Sequence, residues 1–226
     1  MRLSLSYEER AGTSLKVTRN DQLASDLLRE MMAETRENRE GMHPSVTDLI
    51  GCLTKSYYDT EPGNELEPND KTKLYFIIGL GLERALLVSR KETPIYGETE
   101  GIHWHVDSLD QGLLELKSTR ANPAKGQDGF SDRWHKQIKS YLKANNLREV
   151  DLAVIYLIQP EFIVWRISYE QWELDTHWDW LKVRRDVWNE AKATKTPPKA
   201  FHWNEDWECK ECAYKIVCEL NSGLGR

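Results

Sequence analysis

The chain has no hydrophobic stretch long enough to cross a membrane. Its longest uncharged apolar run extends from Leu74 to Leu82, whereas a membrane-spanning helix needs about 20 predominantly apolar residues. The first residues, MRLSLSYEERAGTS, lack the apolar segment and small-residue cleavage site of a secretory signal. We therefore expect a soluble cytoplasmic protein, with no membrane partner, whose 39% apolar residues can form a core.

An excess of positive charge is also absent. The 31 Lys and Arg residues are outnumbered by 37 Asp and Glu, which gives a net charge of −6 at pH 7. This balance excludes a globally basic polyanion binder of the histone type. Any contact with nucleic acid must therefore come from a local basic patch.

Cysteine is scarce, with four residues in a chain of 226, too few for a disulfide-stapled secreted scaffold of this length. Cys52 stands alone, whereas Cys209, Cys212 and Cys218 lie together in the spacing C-x₂-C-x₅-C. In a reducing compartment, such clustering indicates metal binding rather than disulfide formation. Four thiolates can hold Zn²⁺ or a [4Fe–4S] cluster. A second possibility is that the trio binds zinc together with a histidine such as His202.

Repeats and low-complexity segments are absent too, and the period of the apolar residues changes along the chain. Helical spacing predicts helices over residues 21–39, 45–58, 73–90, 131–145 and 169–194, and alternation predicts strands over 102–107, 113–118, 150–158 and 162–167. This order predicts an α/β fold, a small mixed sheet flanked by helices. We expect residues 1–40 to form a helical extension and residues 41–226 a single domain.

The first two strands predict a β-hairpin with a loop centred on Gln111 and Gly112 in the left-handed conformation. That register sets Asp107 opposite Glu115, and like charges at opposed positions are destabilising. A divalent cation such as Mg²⁺ or Mn²⁺ between the carboxylates removes the conflict. Lys117 shares a strand face with Glu115, where its ammonium can stabilise charge on a phosphate.

The predicted helix that follows carries a candidate DNA-binding surface. Gln137 and Tyr141 are four residues apart and share one helix face. An adjacent basic stripe, with a tryptophan beside it, consists of Trp134, Lys136, Lys139 and Lys143. Between Glu115 and Glu149, eight Lys and Arg stand against four Asp and Glu, so this segment is basic within an acidic protein. A basic patch beside a candidate metal site is typical of phosphodiester substrates.

An Asp, then E-x-K on the next strand, then Q-x-x-x-Y on the following helix resembles the RecB-type PD-(D/E)XK nucleases, which have a restriction-endonuclease-like core. With a lone upstream cysteine and C-x₂-C-x₅-C near the end, the chain resembles their iron–sulfur branch. That branch includes the CRISPR-associated Cas-four exonucleases, their phage-borne relatives and the AddB-type nuclease domain. The resemblance covers residues 45–218.

The resemblance implies a role for each matching residue. Asp107 and Glu115 would ligate Mg²⁺ or Mn²⁺, and Lys117 would be the catalytic lysine. Gln137 and Tyr141 would support the site or hold DNA. The four cysteines (Cys52, Cys209, Cys212 and Cys218) would ligate one [4Fe–4S] cluster that staples the C-terminal subdomain to the first helix.

The chain departs from the family's pattern at two positions. The family often has a histidine metal ligand in the helix before the hairpin, where this chain has Glu83, and a carboxylate can ligate the same ion. The family also tends to have a glycine three residues before the metal-binding Asp, where this chain has Trp104. We keep Glu83 as a third candidate ligand of the ion.

We therefore predict a metal-dependent DNA nuclease, a single-strand exonuclease that hydrolyses phosphodiester bonds, working with CRISPR-adaptation or recombination proteins. Two alternatives stay open. The first is a non-catalytic DNA-binding or assembly module that retains the fold, which would bind DNA without cutting it. The second is a zinc-stapled interaction protein without affinity for DNA.

Overall fold

The structure is a computed structural model, and it describes residues 22–23, 26–27, 43–61, 70–90, 95–199, 206–210 and 212–221. Its helices are α1 (Val46–Ile50), α2 (Leu53–Asp59), α3 (Asp70–Arg90), α4 (Asp132–Ala144), α5 (Gln171–Thr194), α6 (Asp206–Lys210) and α7 (Lys215–Asn221). Its strands are β1 (Ile95–Thr99), β2 (Ile102–Val106), β3 (Leu113–Thr119), β4 (Glu149–Tyr156) and β5 (Glu161–Ser168). The chain is therefore a mixed α/β protein, as the sequence predicts. No helix within these ranges has the length and apolar character needed to span a bilayer.

The strands form two small sheets. In the three-stranded sheet β3 pairs with β4 in parallel and β4 pairs with β5 antiparallel. Strands β1 and β2 form a separate antiparallel hairpin. Its two turn residues, Glu100 and Gly101, have φ angles of +50° and +74°, as a type I′ turn requires. Both sheets present apolar side chains to a common core.

The prediction that β2 and β3 form a hydrogen-bonded hairpin ladder is wrong. Strand β2 pairs instead with β1, which the sequence analysis did not predict. One antiparallel bridge, Ser108 to Leu114, joins the segment after β2 to β3. That bridge has the predicted register, with Asp107 opposite Glu115, and Gly112 has the predicted positive φ, +107°.

The long helices α4 and α5 pack against each other beside the sheet. Ser131 caps α4 by accepting a hydrogen bond from the Trp134 amide. Across the interface, Ser140 Oγ lies 2.9 Å from His177 Nε2. Burial, the main cause, lowers the pKa of His177 to about 4, so the imidazole is neutral at pH 7.

The helix predicted over residues 45–58 is interrupted in the structure. Helix α1 begins after Ser45, which forms a capping box with Asp48, and it ends at Gly51. Cys52 is extended and precedes α2. The buried side chain of Arg184, from α5, donates to the carbonyls of Leu49 and Gly51. Helical periodicity did not predict this break, and the arginine that stabilises it is far away in the chain.

The other predicted helices agree with the structure where it describes them. Helix α3 begins three residues earlier than predicted, at Asp70, and α5 covers 171–194 of the predicted 169–194. Most of the helix predicted over 21–39 lies outside the described residues, as does His202. Only positions 22, 23, 26 and 27 of it are described, and they are helical.

Candidate active site

The site lies where β2, β3, α3 and α4 meet. Asp107 directly follows β2, and Glu115 and Lys117 belong to β3. Glu83 comes from α3, and Gln137 and Tyr141 come from α4. The six residues predicted to support catalysis or ligate the divalent ion (Glu83, Asp107, Glu115, Lys117, Gln137 and Tyr141) therefore come from elements that converge.

Asp107 and Glu115 are buried, with 8% and 3% of their surfaces exposed. Asp107 Oδ2 accepts a hydrogen bond from the backbone amide of Leu116 at 2.6 Å, which fixes its carboxylate beside β3. Lys117 Nζ donates to Glu115 Oε1 at 2.5 Å. The other oxygen, Glu115 Oε2, is buried and has no hydrogen-bond partner among the described residues.

Three side chains with metal-ligating atoms lie together: Glu83, His105 and Asp107 each offer one atom within 4.8 Å of the others. The sequence analysis nominated two of these residues and missed His105 as a ligand. A signal was available, because His105 and Asp107 are two residues apart and so share a strand face. The set contains two carboxylates and one imidazole, which suits a divalent cation.

Burial dominates the electrostatics of the two central carboxyls. It raises the pKa of Glu115 to about 7; Lys117 opposes the rise, while Asp107 and Glu83 add to it. Burial also raises the pKa of Asp107, against the Leu116 amide and the charge of Lys117. Three carboxyl groups close to one ammonium therefore form a cluster in which a further cation would be stabilised.

Gln137 and Tyr141 line the same cluster from α4. Gln137 Nε2 donates to the Tyr141 hydroxyl at 2.8 Å. Burial raises the pKa of Tyr141 well above its ordinary value, and the charges of Glu115, Asp107 and Glu83 raise it further. Tyr141 is therefore a neutral phenol at pH 7, next to the carboxylates.

The basic stripe on α4 faces carboxylates rather than open solvent. Lys136, Lys139 and Lys143 pair with Asp132, Glu173 and Asp175 at 2.5, 3.6 and 2.5 Å. The Lys136 ammonium also lies 5.7 Å from the ring centroid of Trp180 in α5, and the Lys139 ammonium lies 4.9 Å from that of Tyr169. Trp134 is partly buried against the core. The DNA-binding role of these four residues stays a prediction.

Trp104, where the resembled family tends to have glycine, packs over Gly97. The two residues are opposed in the β1–β2 hairpin, and a Cβ added at Gly97 would lie 2.2 Å from the Trp104 ring. Trp104 Nε1 also donates to Thr99 Oγ1 at 3.0 Å. Gly97 on the neighbouring strand thus leaves room for a tryptophan at position 104.

The four cysteines are half-buried and free of disulfides. Their sulfur atoms are not gathered within 4.8 Å of one another in the part of the chain that is described. Burial raises the pKa of Cys218, and the charges of Cys52, Cys212 and Cys209 raise it further. The thiol of Cys52 is therefore within electrostatic reach of the C-terminal trio.

Among solved structures, the chain is similar to SSO0001, with a TM-score of 0.56, 18% sequence identity, and coverage of 88% of this chain and 96% of that chain. This likeness establishes the fold. A phage-related exonuclease from Haemophilus somnus 129PT has a TM-score of 0.47, 10% identity and coverage of 68% and 96%. The alkaline exonuclease LHK-Exo from Laribacter hongkongensis has a TM-score of 0.42 and 13% identity, with coverage of 74% of this chain and 97% of that chain. No family model and no curated protein matches the chain.

Proposed function

We propose that the protein is a metal-dependent DNA nuclease of the PD-(D/E)XK type, a single-strand exonuclease. The observation that carries the proposal is the meeting of Asp107, Glu115 and Lys117 in one buried cluster. These are the residues by which the sequence resembles that family. The cluster lies on a mixed α/β scaffold, a fold that the chain shares with SSO0001.

The residues of the cluster fit a divalent ion. Glu115 Oε2 is a buried acceptor with no hydrogen-bond partner among the described residues, and Asp107 and Glu83 act on its pKa. A divalent ion, when bound, supplies an activated water and stabilises negative charge on the phosphate. Lys117 holds the other oxygen of Glu115, and its ammonium offers positive charge to the phosphate. Gln137 donates to the Tyr141 hydroxyl, and the charges of the nearby carboxylates act on that hydroxyl.

The proposed substrate is the end of a DNA single strand. Trp134 and the three lysines of the α4 stripe are the candidate contacts, with the ring able to stack on a base. Each lysine already pairs with a carboxylate, so a DNA phosphate would have to displace Asp132, Glu173 or Asp175. Association with CRISPR-adaptation or recombination proteins stays a prediction.

Cleavage of end-labelled single-stranded DNA tests the function. We expect the anaerobically purified protein to shorten the DNA with Mn²⁺ and not with a chelator, and Asp107→Asn to cut at background rate. Asp110→Asn is the matched control, because Asp110 is exposed in the loop three residues further on and should cut normally. If folded wild-type protein bound DNA and Mn²⁺ without cutting, the result would favour the non-catalytic module.

We also propose that Cys52, Cys209, Cys212 and Cys218 hold a [4Fe–4S] cluster. Support comes from the mutual electrostatic effects of the four thiols. A cluster of four irons and four sulfides separates its ligands further than a single ion does, so wide sulfur spacing is compatible with it.

Contacts between α2 and the C-terminal helices also support this cluster. The rings of Tyr58 and Tyr214 stack at 5.1 Å, and Asn221 Nδ2 donates to the Tyr58 hydroxyl at 2.7 Å. Residues 41–226 would then form one domain with cluster ligands from both ends. The helical extension over 1–40 stays a prediction.

Replacement of Cys52 by serine tests the cluster. We expect the wild-type protein, purified anaerobically, to be brown with about four irons per chain, and Cys52→Ser to lose colour and thermal stability. Lys55→Ala, a change at an exposed side chain in α2, the helix that follows Cys52, should keep both. A colourless wild-type protein that contains zinc would contradict the cluster and favour a zinc site.

A further inference from the structure

We propose that His105 is a direct ligand of the divalent ion, and that its imidazole makes the site prefer Mn²⁺ to Mg²⁺. This inference deepens the proposed function. It rests on that function only for the role of the bound ion, which is to support DNA cleavage. Its test, however, measures ion binding and needs no nuclease activity.

Geometry brings His105 to the ion site from the strand that leads to Asp107. A nitrogen of His105 and a carboxylate oxygen each from Glu83 and Asp107 lie within 4.8 Å of one another, from α3, β2 and the residue after β2. An ion among them would therefore meet ligands from more than one direction. The charge of His105 also acts on Asp107, which agrees with this proximity.

The ring of His105 is held in place by its neighbour across the hairpin. Tyr96 is the residue opposite His105 in the β1–β2 register. The two rings stack with centroids 4.4 Å apart and planes 11° from parallel. Nε2 of His105 is buried within the protein. The stacking limits rotation of the imidazole, and a ligand that is already oriented loses less freedom when it binds an ion.

Glu115 supplies an independent sign that a cation belongs in this cluster. Its Oε2 is buried and has no hydrogen-bond partner among the described residues, while Lys117 holds Oε1. Leaving a buried carboxylate oxygen without a partner costs free energy, and the cost is larger when the group is charged. The nearby carboxyls of Asp107 and Glu83 cannot relieve that cost, because their negative charges repel the charge of Glu115. A cation held by Glu83, His105 and Asp107 would bring positive charge close to this oxygen.

The mixture of donors sets the preference among ions. Mg²⁺ binds through oxygen in near-ideal octahedral geometry and keeps several waters. Imidazole suits transition metals, while Mn²⁺ also accepts the carboxylates that suit Mg²⁺. Two carboxylates and one imidazole therefore favour Mn²⁺. Without the imidazole, the site would hold oxygen donors alone and discriminate less.

Mn²⁺ binding measured by electron paramagnetic resonance, with Mg²⁺ as competitor, tests the proposal. We expect His105→Asn to weaken Mn²⁺ binding by at least about tenfold and to change Mg²⁺ binding less. His103→Asn is the matched control, since His103 lies on the same strand and its side chain, 41% exposed, faces Glu98 instead. That variant should bind both ions as the wild type does.

Pulsed resonance of bound Mn²⁺ gives a direct readout of nitrogen ligation. We expect a ¹⁴N coupling in the wild type and in His103→Asn, and its loss in His105→Asn. His105→Asp, which keeps an oxygen ligand if the asparagine variant fails to fold, should bind Mn²⁺ without that coupling. Bound Mn²⁺ with no ¹⁴N coupling in the wild type would overturn the proposal and leave the nuclease function standing. Nitrogen-bound Mn²⁺ in a wild-type protein that cuts no DNA would support His105 as a ligand and contradict the nuclease function.

Discussion

Lys117→Ala is expected to fold but to cut DNA at background rate. The Lys117 ammonium is 2.5 Å from Glu115 Oε1, and its side chain is 18% exposed, so it lies beside the carboxylates of the candidate site. Loss of one donor that stabilises transition-state charge lowers kcat by about 10²–10³, or about 3–4 kcal/mol. End-labelled single-stranded DNA with Mn²⁺ measures the loss.

The structure also predicts how the variant stays folded. Lys117 holds down the pKa of Glu115, so removing it raises that pKa further, and the buried carboxyl takes up a proton at pH 7. Lys117→Met keeps the packing of the aliphatic stem and should lose activity equally. Lys182→Ala, which removes an exposed ion pair with Asp179, is the control and should cut normally. Cutting by folded Lys117→Met within a few-fold of wild type would remove Lys117 from the mechanism.

Local periodicity in the sequence was enough to predict much of the local geometry of the candidate site. Alternating residues predicted β2 and β3 and set Asp107 against Glu115, and the single bridge between Ser108 and Leu114 has that register. The short loop fixes this register, because Gly112 adopts a positive φ that other residues rarely reach. Helical spacing likewise put Gln137 and Tyr141 on one face.

The partners of those elements could not be read from local patterns. Strand β2 pairs with β1, whose IYGET sequence is short and has Gly97 at its centre, where a glycine lowers strand propensity. That glycine is needed to accommodate Trp104, a contact between strands that only the folded hairpin reveals. The sequence therefore predicted the loop before β3 but gave β2 the wrong partner.

The orientation of the lysine stripe on α4 was also beyond the sequence. Helical periodicity predicts that Lys136, Lys139 and Lys143 share a side, but not which element that side meets. In the structure it meets α5 and nearby acidic residues, so the positive charge is partly neutralised. A stripe of like charge can pair within the protein as well as bind a phosphate.

Arg184→Leu is expected to lower the free energy of unfolding by about 2–6 kcal/mol, the cost of leaving two largely buried carbonyls without their hydrogen-bond donor. The side chain is 5% exposed and donates to the carbonyls of Leu49 and Gly51, at the end of α1. Helix ends leave such carbonyls unsatisfied, and leaving each buried costs about 1–3 kcal/mol. Thermal unfolding should show a Tm lower by roughly 10 °C for a chain of this size.

The matched control is Arg166→Leu. Arg166 makes two hydrogen bonds to Asp151, each 2.9 Å, but its side chain is 70% exposed, and exposed pairs contribute little to stability. Arg184→Lys should fall between the two, because an ammonium lacks the planar fork that reaches both carbonyls. Equal stability of Arg184→Leu and Arg166→Leu would contradict the interpretation that the arginine holds the break between α1 and α2.

That break matters because Cys52 directly follows Gly51. Burial, the largest cause, lowers the pKa of Arg184 to about 10, while the charges of Cys52 and Glu208 oppose the fall. The guanidinium is therefore still charged at pH 7 and lies close to the thiol. The guanidinium of Arg184 also lies 4.8 Å from the ring centroid of Trp180, and this contact holds it against α5. One buried arginine thus connects the core helix to the segment before Cys52, and the Tm of Arg184→Leu reports how much this connection stabilises the fold.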